Sequence, residues 1–113
     1  MNIETIRNIC NKLPHVTEDI KWGNDLCFLI GGKMFCVVGL NEELKVSLKV
    51  TDEEFSELTS VAGIIPAPYV AKHKWILVEK PSVFNQKKWQ QYITQSYNLV
   101  KAKLPKKLQA QLT

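Results

Sequence analysis

The residues able to do chemistry are few in this chain. Three cysteines (Cys10, Cys27, Cys36), two histidines (His15, His73) and eleven carboxylates are the first candidates for nucleophile, base, acid or metal ligand. The cysteines are odd in number and lack Cys-x-x-Cys spacing, which argues against a disulfide framework and against a zinc site. His15 and His73 fall in turn-prone segments among charged residues, so surface histidines and buried cysteines are a plainer reading than a Cys–His nucleophile pair. The acidic groups Glu18-Asp19, Glu42-Glu43 and Asp52-Glu53-Glu54 are sequence neighbours. Neighbours on a strand point to opposite faces, and the last group suits the first turn of a helix, so no paired-carboxylate site is signalled.

Motifs for nucleophile elbows, Walker loops, dinucleotide folds and zinc proteases are missing from the sequence. Gly31-Gly32-Lys33 comes nearest to a phosphate loop, but it lies between two strand-like runs without a following helix N-terminus. It reads as a hairpin turn. With Gly31 and Gly32 as the turn residues, Ile30 faces Lys33 and Cys27 faces Cys36, in a pair whose Cα atoms would be roughly 4.5 Å apart. That is the short limit for a disulfide, and two small hydrophobes on a core face is the simpler expectation. The chemistry therefore implies a protein without catalysis, cofactor or metal.

Binding chemistry is better represented. Residues 1–60 carry six cations against ten carboxylates, whereas residues 61–113 carry nine lysines against Glu79 alone. Such asymmetry points to an anionic partner. The lysines form groups at Lys72 and Lys74, at Lys87 and Lys88, and from Lys101 to Lys107, with Lys45 and Lys49 spaced along one strand pattern. Fourteen of the fifteen cations are lysine, a residue that contacts phosphate as a point charge and reads bases poorly. Lysines near a helix C-terminus also complement its dipole, which offers a structural reason for Lys101 to Lys107.

The elements that would position these groups can be read from periodicity. Ile3, Ile6, Ile9, Cys10 and Leu13 predict a helix over roughly 2–13, ended by Pro14. Residues 15–24 read as a polar connection with one buried anchor, Trp22. Apolar runs at 26–30 and 33–40 flank Gly31-Gly32 as a hairpin, and Asn41-Glu42-Glu43 makes the next turn. Residues 44–50 alternate, with Leu44, Val46, Leu48 and Val50 inward and Lys45, Ser47 and Lys49 outward, which predicts a solvated sheet face. Thr51 and Glu54 form a capping box for a helix to about Ser60. A proline-containing loop over 63–68 precedes a strand at 75–78. A long helix from Asn85 carries Trp89, Tyr92, Ile93, Ser96, Tyr97, Val100 and Leu104 on one face, and Pro105 breaks it and starts a short last helix. The expected class is α+β: helix, three-stranded antiparallel meander, helix, strand, helix, with helices on one face.

The 113 residues suit one domain, 1–113, with an ordinary globular composition. No run approaches the roughly 20 apolar residues that cross a bilayer, and no signal-peptide pattern is present, so no membrane association and a cytoplasmic monomer are expected.

Leu13-Pro-His-Val-Thr-Glu-Asp, Trp22-Gly, Gly32-Lys-Met-Phe35, Ser47-Leu-Lys49, Pro66-Ala-Pro-Tyr69, Lys74-Trp75 and the set Ser96, Tyr97, Leu99 and Val100 occur in this order. In this pattern the chain resembles the MmcQ/YjbR family over nearly its whole length. The resemblance implies a CyaY-like α+β fold and a DNA-binding role through a double wing of β-hairpins. It also implies that Trp22, Phe35, Tyr69, Trp75 and Tyr97 are core or loop-anchoring residues. The CyaY likeness brings no iron site, since the first helix carries only Glu4. The expectation is a non-enzymatic DNA-binding protein contacting phosphates weakly and salt-dependently through Lys33, Lys45, Lys49, Lys72 and Lys74. The alternative is a module binding a protein or small ligand through the aromatic and proline-bearing loop over 64–75.

Overall fold

The computed structural model describes residues 1–40, 43–68 and 70–112; the turn expected at Asn41 and Glu42 lies outside them. Asn2 accepts a hydrogen bond from the Thr5 amide at 2.9 Å and opens α1 (Ile3–Asn11), whose Ile6 and Cys10 share one face and are buried. Next come β1 (Thr17–Lys21), β2 (Asp25–Ile30), β3 (Lys33–Gly39) and β4 (Lys45–Lys49). The expected capping box at Thr51 and Glu54 starts α2 (Asp52–Leu58). It is followed by β5 (Ile64–Pro66), β6 (Trp75–Val78), α3 (Gln86–Ala102) and α4 (Lys106–Gln111). The strands form one antiparallel sheet in the order β1-β2-β3-β4-β6-β5, with the helices on one side. The expected α+β class is found, but the meander has four strands and the proline loop contains a fifth.

Both added strands are edges, and that is why periodicity missed them. β1 has the sequence Thr-Glu-Asp-Ile-Lys, with four of five residues exposed, so no apolar alternation marks it. Its backbone pairs with β2, and Arg7 of α1 holds Glu18 through two charge-assisted bonds of 2.8 and 3.1 Å. Trp22 is correspondingly not a buried anchor. It sits in the turn after β1 with φ 54° and is 72% exposed.

Gly31 and Gly32 have φ 58° and 81°, the conformation of the expected two-residue hairpin turn. The hairpin register then departs from the simple count. Leu29 pairs with Met34 but Phe28 pairs with Cys36, so Phe35 is an extra residue in a β-bulge. Beyond the bulge Cys27 faces Val37, and the expected Cys27–Cys36 pairing does not occur. Cys36 instead meets Cys10 of α1; that thiol neighbour and burial push the Cys10 thiol upward. The three cysteines are free and buried.

The core lies between α1, α3 and one sheet face. Trp89, Ile93 and Tyr97 of α3 pack over Phe28, Phe35, Val38, Val46 and Leu48. Phe35 meets Tyr97 edge to face with ring centroids 5.4 Å apart. The Tyr97 hydroxyl donates to the Pro14 carbonyl at 2.7 Å and ties α3 to the chain leaving α1. Among the described residues no helix is long and apolar enough to cross a membrane.

Candidate anion-binding groove on the open sheet face

The second face of the sheet is bordered by helix only at the C-terminal end of α3, and its chemistry differs from the solvated face expected. Only β4 alternates as read, with Val46 and Leu48 inward and Lys45, Ser47 and Lys49 outward. The register places Val37 beside Ser47 and Leu77 across from it, so apolar side chains from β3 and β6 flank the polar row. Two adjacent depressions follow. One, of about 560 Å³, is lined by Trp22, Asp25, Met34, Val37, Ser47, Ala67, Pro68, Val70 and Trp75. The other, of about 410 Å³, shares Met34, Val70 and Trp75 and adds Lys33, Lys49, His73, Val100, Lys103, Leu104 and Pro105. Together they make one groove, apolar at the Trp22 end and cationic at the other.

Each cation reaches the groove for a local reason. Lys33 follows the glycine turn at the tip of the β2–β3 hairpin. Lys103 caps the C-terminus of α3, and the next residue, buried Leu104, packs on that hairpin tip: a Cβ built on Gly31 would lie 2.7 Å from the Leu104 side chain. A close glycine–leucine contact thus carries Lys103 to Lys33. Lys49 ends β4, where its backbone is fixed by the bulge. The register after Cys36 and Leu48 would next pair Phe35 with Lys49, but the strands part there and the Ser96 hydroxyl fills the gap. Ser96 Oγ accepts from the Lys49 amide at 2.9 Å and donates to the Phe35 carbonyl at 2.6 Å.

The Lys49 ammonium donates to the His73 carbonyl and so holds the loop between β5 and β6 against the sheet. Ala67 N–H donates to Trp75 O at 3.0 Å at the base of the same loop. Burial, and then the like charge of Lys103, lower the Lys49 pKa, with Asp52 opposing. Among the described residues the ion pairs are Arg7 with Glu4 and Glu18, and Lys45 with Glu79. None engages Lys33, Lys49 or Lys103, and no described carboxylate lines the cationic end. Cations gathered in a depression that no described carboxylate lines, with Asp52 acting on Lys49 from outside it, favour an anion between them.

Of the five lysines expected as contacts, the fold gathers Lys33 and Lys49. Lys72 is exposed on the single 3-10 turn Ala71–His73, next to His73. Lys74 turns away: with φ 64° it places its ammonium 5.1 Å from the centre of the Phe55 ring of α2. Lys45 lies at the opposite end of β4, roughly 13 Å along the strand at 3.3 Å per residue, where it faces Glu79 at 3.9 Å. The sequence does not single out Lys103, because the helix dipole offers a competing reason for the lysines from Lys101 to Lys107. Of the expected anchors, Phe35 and Tyr97 are core, Trp22 is not, Trp75 is half-buried in the groove, and Tyr69 lies outside the described residues.

Among the described residues no group of three His, Cys, Asp or Glu side chains could hold a metal ion. Besides the lysines, the polar side chains lining the groove are His73 at the cationic end and Asp25 and Ser47 at the apolar end. Comparison with known proteins gives three findings. A family model described as YjbR matches residues 11–99. No curated protein matches the sequence. Among solved structures, a Deinococcus radiodurans protein with a DUF419 domain is similar with a TM-score of 0.88 and 25% identity, over 98% of this chain and 87% of that one. A Pseudomonas syringae protein shares the fold at a TM-score of 0.71 and 22% identity, over 88% of this chain and 98% of that one.

Proposed function

The chain belongs to the YjbR family, and from that premise and the groove we propose a non-enzymatic DNA-binding protein that grips phosphates at the cationic end of its open sheet face. The observation that carries this reading is the convergence of Lys33, Lys49 and Lys103 on one depression that no described carboxylate lines. The three come from a hairpin tip, a strand end and a helix end, so their meeting is a product of the fold and not of local composition. Lysine suits phosphate contact without base readout, which makes the binding electrostatic and weakly selective. Lys72, exposed beside His73, extends the same cationic rim. The 64–75 loop, the alternative ligand surface in the sequence, supplies Ala67, Pro68, Val70 and Trp75 as a wall of this groove, so its apolar character is part of the same site.

The test is a titration against labelled DNA across a salt series. Three phosphate contacts predict a slope of about −2.7 in log affinity against log salt, or roughly 40-fold weaker binding between 50 and 200 mM. Lys33→Gln and Lys103→Gln should each reduce that slope by about 1, whereas Lys45→Gln should leave it unchanged. No binding at 20 mM salt, or binding indifferent to salt, refutes the proposal.

A further inference from the structure

The apolar end of the groove bears on which form of DNA the lysines serve. Duplex DNA presents phosphates and groove edges, and its base faces are stacked away. Pressed onto this sheet face, a duplex would cover Met34, Val37 and Trp75 with a charged and hydrated backbone, leaving their apolar surface without a partner. A single strand differs: each unpaired base has an aromatic face that covers such a surface, while its phosphate remains free to meet a cation.

We propose that the groove is a single-strand site, in which phosphate is held by Lys33, Lys49 and Lys103 and an unpaired base stacks in the pocket between Trp22 and Trp75. This rests on the phosphate-binding reading above. Three observations support it. The two depressions are neighbours that share Met34, Val70 and Trp75 in their lining, which puts both within reach of one nucleotide. Trp22 is 72% exposed, held in a left-handed turn at the pocket edge with nothing packed over it. A large exposed aromatic has no folding role there, but it is what a stacking platform requires. Asp25 is the one charged side chain lining the apolar pocket among the described residues. It repels phosphate and orients the backbone toward the lysines, while its carboxylate and the Ser47 hydroxyl can accept from a base edge.

Anisotropy titrations with three probes test this: a labelled 12-nucleotide oligo-dT, the same strand annealed to its complement, and a strand of equal length with abasic sites throughout. The expected result at 50 mM salt is at least 10-fold tighter binding of oligo-dT than of either other probe. Trp22→Ala should weaken oligo-dT binding about 5- to 150-fold, the range found for removal of one base-stacking aromatic, and leave duplex and abasic binding unchanged. Trp22 is outside the core, so this variant folds; Trp75→Leu, checked by circular dichroism, probes the other wall. Equal or tighter binding of duplex, or oligo-dT binding indifferent to Trp22→Ala, overturns the single-strand site while the phosphate reading stands. Absence of binding to all three probes overturns both.

Discussion

Ser96→Ala removes one hydroxyl from the core, and the structure assigns that hydroxyl an unusual duty. It stands where a direct strand-to-strand bond would be, between the Lys49 amide and the Phe35 carbonyl, and it is fully buried. Alanine leaves a donor and an acceptor unpaired in the interior. Each buried, unsatisfied group costs about 1–3 kcal/mol, and partial closure of the strands lowers the sum, giving about 2–4 kcal/mol for the variant. For 113 residues the unfolding entropy is about 0.24 kcal/mol per kelvin. The melting temperature should therefore fall by roughly 8–17 °C. Urea denaturation should show a lower midpoint at unchanged slope. Amide exchange supplies a local readout, since the Lys49 N–H loses protection in the variant while the Cys36–Leu48 pair beside it keeps its own. A cost below about 0.5 kcal/mol, well under one unsatisfied group, or an unchanged Lys49 amide, would show that the hydroxyl does not bridge the bulge.

Two further outcomes follow from contacts on the helix-covered side. Gly31→Ala and Gly32→Ala both force alanine into a left-handed turn, at about 1–2 kcal/mol each. Only at Gly31 does the new Cβ also strike Leu104, at 2.7 Å, whereas nothing lies within 4 Å at Gly32. Gly31→Ala should be the more destabilising by urea titration, and it should displace Lys103 and weaken DNA binding; equal costs would refute the packing of the hairpin tip on α3. The Arg7 guanidinium holds the Glu18 carboxyl below its ordinary value. Its folded pKa lies below its unfolded one, so the stabilisation is complete above about pH 4.5 and is lost as pH falls through the depressed value. The stability difference between wild type and Arg7→Gln should therefore shrink below about pH 4. A difference constant from pH 6 to pH 2.5 would refute the bond.

The elements legible in the sequence are those whose burial is one-sided and periodic. Val46, Leu48 and Val50, the Trp89–Tyr97 helix face, the Thr51–Glu54 capping box and the Gly31-Gly32 turn carry their physics locally, in spacing or in backbone freedom. β1 does not, because an edge strand that buries neither face leaves no apolar record. The bulge is illegible for a different reason. No residue type at 28, 29 or 35 announces an extra residue, and its stability depends on Ser96, which lies 61 positions away. One unread residue then moved Cys36 from Cys27 to Cys10.

The same bulge explains why the site was only half visible. Lys33 and Lys49 could be read as outward-facing, but nothing in their spacing joins them to Lys103. That junction needs Leu104 seated on a residue without a side chain and Ser96 placed opposite a gap in the ladder. Both requirements belong to α3, the helix that also fills the core. A helix whose buried face fixes Ser96 and Leu104 also determines where Lys49 and Lys103 sit, so repositioning α3 should alter the cationic end of the groove even though no surface charge changes. The apolar end, built from β3, β4, β6 and the loop between β5 and β6, is tied to that coupling through the bond from the Lys49 ammonium to the His73 carbonyl. Variants at Ser96 should thus impair phosphate contact most, and reach the Trp22–Trp75 pocket only through the loop that Lys49 holds.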